Sequence, residues 1–235
     1  TSAQQVWDEM PSAIIDMVHE QGGISGFAHL QYLPSGIPDR LDCCTPVEYP
    51  VEVALGSADF ISEDVTNTGD TAIEAYYKLL NTGFRPGFAA GTDYPCGNNV
   101  IGSRLTYSNL GGEPVTYGNW INAIKSGRTV ISRNGHNEFL NLTVNGSAGP
   151  GDEVKLASAD SVPVTVTWTA TQDYTGKLQL VQNGEVIASK SATVTAGSPV
   201  TLTANVDFAK SGWVAARRMN ADGIDHQVHT AATFV

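Results

Sequence analysis

Charged side chains are scarce in this chain: Asp, Glu, Lys and Arg make up 16% of its 235 residues, against about 25% in an average globular protein. So little charge excludes a coiled coil, a solvated helical bundle and a charge-driven disordered tail. Basic residues are the scarcer sign, 13 against 24 acidic, for a formal charge of −11. A chain this acidic repels phosphate backbones, which argues against nucleic acid and anionic membranes as main partners. Long apolar runs are also missing, and nothing approaches the roughly 18 continuous residues that a membrane-spanning helix needs. There is no P-loop, no dinucleotide-binding fingerprint and no Gly-x-Ser-x-Gly elbow; Gly22-Gly23-Ile24-Ser25-Gly26 misses the last by one position. Thr1 starts neither with an initiator Met nor with a signal-peptide pattern, so sequence upstream is expected. Cysteine is limited to Cys43, Cys44 and Cys96. The adjacent pair has its Cα atoms about 3.8 Å apart, below the usual disulfide range. A bridge, if formed, joins one of them to Cys96; three reduced loop cysteines is the favoured state.

What is present falls into two regimes that meet near residue 150. In the first, Pro11 suits a first helical turn, Ile14, Ile15 and Val18 form a stripe, and Gly22-Gly23 stops the helix. Ile24 to Ala28 reads as a short buried strand ending at His29. A second helix is expected within Val47 to Leu55, followed by the strand Ala58-Asp59-Phe60-Ile61. The third helix carries the clearest face, Ala72, Ile73, Ala75, Tyr76, Leu79 and Leu80, with Gly83 as its stop. The run Gly87-Phe88-Ala89-Ala90 then leads into Gly91-Thr92-Asp93. Alternating helices and strands predict a parallel α/β arrangement, in which ligands bind beyond the carboxyl ends of the strands. His29 and Asp93 both stand at that end.

A short helix around Ile121-Ile124 follows, and then the pattern turns to strands. Val162 to Ala170 alternates apolar and polar residues, and Asn183-Gly184 between two such runs signals a tight hairpin. Val200 to Val206, Gly212 to Ala216 and Val228 to Val235 complete a β-sandwich of immunoglobulin-like size, without that family's Cys…Trp…Cys pattern. Asn220 to Asp225 resembles a calcium loop but lacks the terminal Glu, and reads as a hairpin turn.

Imidazole and carboxylate together make a good partial shell for Zn²⁺, Mn²⁺ or Fe, so His29 and Asp93 are candidate metal ligands. Their side chains are expected to converge on one cavity. Two donors fall short of the three that a catalytic metal requires. Arg104 and Arg85 are candidates to hold an anionic group of a substrate, or else ordinary salt-bridge partners in an acidic chain.

The order of several blocks resembles a known family. Gly22-Gly23 with Phe27-Ala28-His29 is similar to the third metal motif of the PHP (polymerase and histidinol phosphatase) superfamily. Tyr76 to Arg85, Ala89 to Asp93, Gly102-Ser103-Arg104 with Tyr107, Trp120, Gly127-Arg128-Thr129, Leu142 to Gly146, Gly149 and Val228-His229-Thr230 narrow the resemblance to its carbaryl-hydrolase-like CehA/McbA branch. The resemblance implies an α/β + β chain: the C-terminal part of a distorted PHP-like β/α barrel over residues 1–150, then a β-sandwich over 151–235. It implies a metal-dependent hydrolase or phosphoesterase, a small ester or phosphoester substrate, and His29 and Asp93 on a divalent metal. The remaining ligands belong to an N-terminal half-barrel upstream, with which, or with another copy of itself, the chain would associate through unpaired strand edges. Alone, such a chain is expected to fold but to be a poor hydrolase. An extracytoplasmic or secreted location is favoured over a cytoplasmic one. The alternative is a non-catalytic surface or carbohydrate-binding protein that keeps the fold.

Overall fold

The computed structural model describes residues 11–29, 48–63, 71–95 and 99–235; the three cysteines lie outside them. The described chain is mostly β-sheet with four α-helices. Its first part runs α1 (Pro11–Glu20), β1 (Gly26–Phe27), α2 (Tyr49–Leu55), β2 (Phe60–Glu63), α3 (Thr71–Asn81) and β3 (Gly87–Ala90). The three strands form a parallel sheet in the order β1-β2-β3. Asp59, just before β2, ties the amino end of this sheet together. It accepts from the Ser25 N–H at 2.8 Å, and His19 Nε2 and Lys125 Nζ each approach it to 2.7 Å. Burial pushes its carboxyl up, but Lys125, the Ser25 amide and His19 outweigh that and leave it below its ordinary value.

The second part is β4 (Leu105–Ser108), α4 (Tyr117–Lys125), β5 (Thr129–Ser132), β6 (Glu138–Val144), β7 (Asp160–Ala170), β8 (Tyr174–Gln182), β9 (Glu185–Val194), β10 (Val200–Phe208), β11 (Trp213–Met219), β12 (His226–Thr230) and β13 (Thr233–Phe234). These strands form a β-sandwich. One sheet is seven-stranded, β4-β5-β12-β11-β8-β9 with β13 on β11; the other is β10-β7-β6. The change of sheet therefore does not coincide with the shift in composition near residue 150. β4, β5 and β6 precede that point, yet all three pair in the sandwich.

The middle strands of the seven-stranded sheet, β5, β11 and β12, are buried on both faces. Ile131, Val181, Trp213 and Ala215 pack with α2, α3, β2 and β3, while Val130, Leu178, Leu180, Val214 and Ala216 face β6, β7 and β10. This is period-2 alternation with both sides apolar, so Trp213-Val214-Ala215-Ala216 reads as one continuous run. Helix α3 is the bridge between the parts. Tyr76 stacks on Phe88 at 4.5 Å and accepts from the Ala232 N–H at 3.1 Å. Tyr77 meets His229 Nε2 at 2.7 Å, and Trp213 Nε1 donates to Asn81 at 2.9 Å.

The outer edge of β3 is not left bare. The Thr106 hydroxyl on β4 donates to the Ala90 carbonyl at 3.0 Å and accepts from the Ala90 N–H at 2.8 Å, copying what a neighbouring strand would supply. Thr129 on β5 donates to the Phe88 carbonyl at 2.6 Å. Two threonines thus satisfy backbone groups that an unpaired edge would expose. The seam tolerates no bulk on its inner side: a Cβ on Gly87 would lie 2.1 Å from the Ile124 carbonyl at the end of α4. Gly87→Ala is expected to cost about 1–3 kcal/mol of stability, as overpacking does. Urea unfolding measures it, and a loss below half a unit would mean that α4 is free to shift.

Candidate functional site

Each strand of the parallel sheet delivers one polar residue to its carboxyl end: His29 two residues past β1, Glu63 as the last residue of β2, and Asp93 three residues past β3. His29 and Asp93 share an unusual backbone, each with φ of 55°. Left-handed φ is uncommon outside glycine, though His and Asp adopt it more readily than most. Such strain persists where the surroundings over-determine it, and it clusters at functional sites.

The strand order separates the two predicted ligands. β2 lies between β1 and β3, so their backbones stand about 9–10 Å apart, twice the strand spacing. They do not end adjacent strands. The residue placed between them is Glu63, which is fully buried. Arg133 grips it with two prongs, Nε to Oε1 at 3.0 Å and Nη2 to Oε2 at 2.9 Å. Arg104 Nη1 reaches Oε1 at 3.3 Å, and His226 Nε2 lies 2.9 Å from Oε2. Burial alone raises a carboxyl; here His226 and Arg133 outweigh it and hold Glu63 well below the usual carboxylate range.

The sandwich supplies all three partners. Arg104 precedes β4, Arg133 follows β5 and His226 opens β12, and the antiparallel pairing of β5 with β12 brings the last two together. The cluster carries two guanidinium charges against one carboxylate even with His226 neutral. Arg104, predicted to meet substrate, stands at the expected end but is engaged with Glu63. Arg85 stands at the wrong end. It precedes β3, pairs with Glu153 at 2.9 Å and lies 4.1 Å over the Phe234 ring. The length of β3 divides it from Asp93, so the two residues do not share a site.

Imidazole and carboxylate suit a divalent cation, so the donor chemistry of His29 and Asp93 fits in part. Glu63, the carboxylate between them, is committed to its arginines. Among the described residues no three His, Cys, Asp or Glu side chains form a group that could hold a metal ion. Residue-level reasoning missed Glu63, although it closes an apolar strand just as His29 and Asp93 do. Arg133 and His226 carry no such local signal, because their placement depends on strand register.

No protein-family model matches the chain. No curated protein matches it either. Among solved structures, the solution structure of a CARDB domain from Pyrococcus furiosus is 15% identical, covering 42% of this chain and 94% of its own, with a TM-score of 0.30. A Jonesia denitrificans lytic polysaccharide monooxygenase is 12% identical over 67% of this chain and 92% of its own, with a TM-score of 0.27. A β-glucosidase from intestinal bacteria is 12% identical over 86% of this chain and 41% of its own, at 0.26. Likeness this distant carries no argument about activity.

Proposed function

We propose that the carboxyl ends of β1, β2 and β3 are part of the metal site of a metal-dependent hydrolase of phosphate or carboxylate-type esters, similar to the CehA/McbA branch of the PHP superfamily. The parallel sheet would belong to a PHP-like barrel. His29 and Asp93 would be the ligands from this chain, with further donors from outside the described residues. The observation that carries the reading is the shared left-handed backbone of these two non-glycine residues at corresponding strand ends. A bound divalent cation would supply a water acidic enough to attack an ester near neutral pH. Arg104 and Arg133 would hold Glu63 ionised and keep positive charge at the rim, where an anionic ester would be drawn in. A second reading, a non-catalytic binding protein that keeps the fold, draws on the locking of Glu63 into ion pairs.

The test is Mn²⁺ titration of the chain, with turnover of an aryl phosphate and an aryl ester as a second readout. Weak, saturable Mn²⁺ binding is expected, with little turnover, because two donors are fewer than catalysis needs. His29→Gly and Asp93→Gly should each abolish that binding. Asp93→Gly should leave stability unchanged or raise it by up to about 1 kcal/mol, since glycine takes a positive φ without strain. Binding that survives either substitution would overturn the metal reading and leave the binding protein.

A further inference from the structure

The open edge of the sandwich holds a cleft of about 320 Å³, between edge strand β4 of one sheet and edge strand β6 of the other. Its walls include Tyr107, Phe139, Leu140 and Leu142, with Ser108 and Arg128 among the lining residues. Arg128 precedes β5, whereas Arg133 follows it, so the cleft is at the opposite end of that strand from the Glu63 cluster. The volume is at the small end of the roughly 300–1,000 Å³ typical of small-molecule sites.

Two polar atoms there are unmatched. Ser108 Oγ and Arg128 Nε are buried and have no hydrogen-bond partner among the described residues. A buried donor left in this state costs free energy that a matching acceptor recovers. Arg128 is also unusual for an arginine in so acidic a chain. Arg85, Arg104, Arg133 and Arg218 each meet a carboxylate and Arg217 donates to Gln179, whereas among the described residues Arg128 Nε meets no acceptor. Its stem is held in place: a Cβ on Gly151, which has φ of 82°, would come within 2.8 Å of Arg128 Cγ. The aromatic wall is set as well, with the Tyr107 and Phe139 rings edge to face at 5.1 Å and the Tyr107 hydroxyl donating to the Gly135 carbonyl at 3.3 Å.

We propose that this cleft binds a small organic monocarboxylate with an aromatic or branched apolar body. The guanidinium of Arg128 offers its Nε side as a fork for the two carboxylate oxygens. Ser108 donates its hydroxyl to the same group, and the body of the ligand lies against Tyr107, Phe139 and Leu142. One arginine balances one negative charge. A phosphate dianion would bring a second into a molecule already at −11, so a monoanion is selected. The site is independent of the metal reading.

Calorimetric titration of the chain with benzoate and phenylacetate tests the proposal, with benzamide and phenyl phosphate as controls. At least one carboxylate should bind saturably, and benzamide about tenfold more weakly, because the charge-assisted bonds are lost. Arg128→Met should weaken carboxylate binding by about tenfold or more, and Ser108→Ala by about threefold to tenfold, with the melting temperature of each recorded. Arg128→Met removes an unmatched donor and is expected to fold. The parent chain alone decides if it does not, through the comparison of benzoate with benzamide. Failure of both carboxylates to bind, equal binding of benzoate and benzamide, tighter binding of phenyl phosphate, or full affinity in a folded Arg128→Met would each overturn the assignment.

Discussion

Arg218→Met is expected to lower the unfolding free energy by about 3–5 kcal/mol, the cost of leaving a buried charge without its partner. Arg218 is 2% exposed and Glu138 1%, inside the sandwich. The guanidinium donates to both oxygens of Glu138, through Nε at 2.7 Å and through Nη2. Trp168 Nε1 donates to the same carboxylate at 2.9 Å, and Asn134 Nδ2 also reaches it. Burial draws Arg218 down to about 10, which still leaves it charged at neutral pH. Met fills much of the volume but none of the charge, so the carboxylate keeps only its Trp168 and Asn134 donors. Replacing both partners, as Glu138→Leu with Arg218→Met, should recover most of the loss, because no charge then stays buried alone. Urea unfolding of the parent, both single variants and the double variant measures the coupling. Additive losses would mean that the pair contributes little beyond packing.

Elements whose signals are local were legible in the sequence. The apolar stripe of α3 emerges as a buried face, with Ala72, Ile73, Ala75, Tyr76, Leu79 and Leu80 all inside. Asn183-Gly184 forms the two-residue loop between β8 and β9, with φ of 51° and 94°; positive φ at both positions is what this turn requires. Val162, Val164, Val166 and Trp168 alternate inward along β7. β4 and β5 were not legible. Each has four residues, too few to display a period, and β5 is buried on all of them. Their threonines do their structural work by hydroxyl groups that meet β3, which no pattern of apolar residues reveals.

The same division holds at the candidate site. Residues that end parallel strands can be read from the chain, and that logic reaches His29 and Asp93; applied evenly it reaches Glu63. It cannot say that β2 lies between the other two strands, nor that Arg104, Arg133 and His226 arrive from the sandwich. Sheet order and antiparallel register decide both, and these depend on contacts between residues far apart in sequence. Glu63 and Arg133 are separated by 70 positions. Arg85 illustrates the opposite error: it is close to Asp93 in sequence, but the expected strand Gly87–Ala90 runs between them and sets the two at opposite ends.

Glu63→Gln is expected to cost about 3–5 kcal/mol at neutral pH, because it removes the carboxylate that two arginines and His226 face across a buried contact. The amide keeps the shape and can still accept hydrogen bonds, so the loss reports charge rather than volume. The sign of the pH dependence follows from the depressed carboxyl. An unfolded glutamate titrates near about 4.3, whereas burial, which opposes ionisation, is outweighed here by His226 and Arg133, so Glu63 in the folded chain titrates well below that. Its contribution is therefore fully present above the unfolded value and is lost progressively as pH falls beneath it. Between about pH 5 and pH 3 the parent should lose stability faster than Glu63→Gln, and the two curves should approach each other. Salt should narrow the gap little, because a buried pair is poorly screened. Denaturation midpoints at half-unit pH steps supply the measurement. Parallel curves across that range would show that the ion-pair cluster is not coupled to folding, and that Arg104 and Arg133 find other partners when the carboxylate is gone.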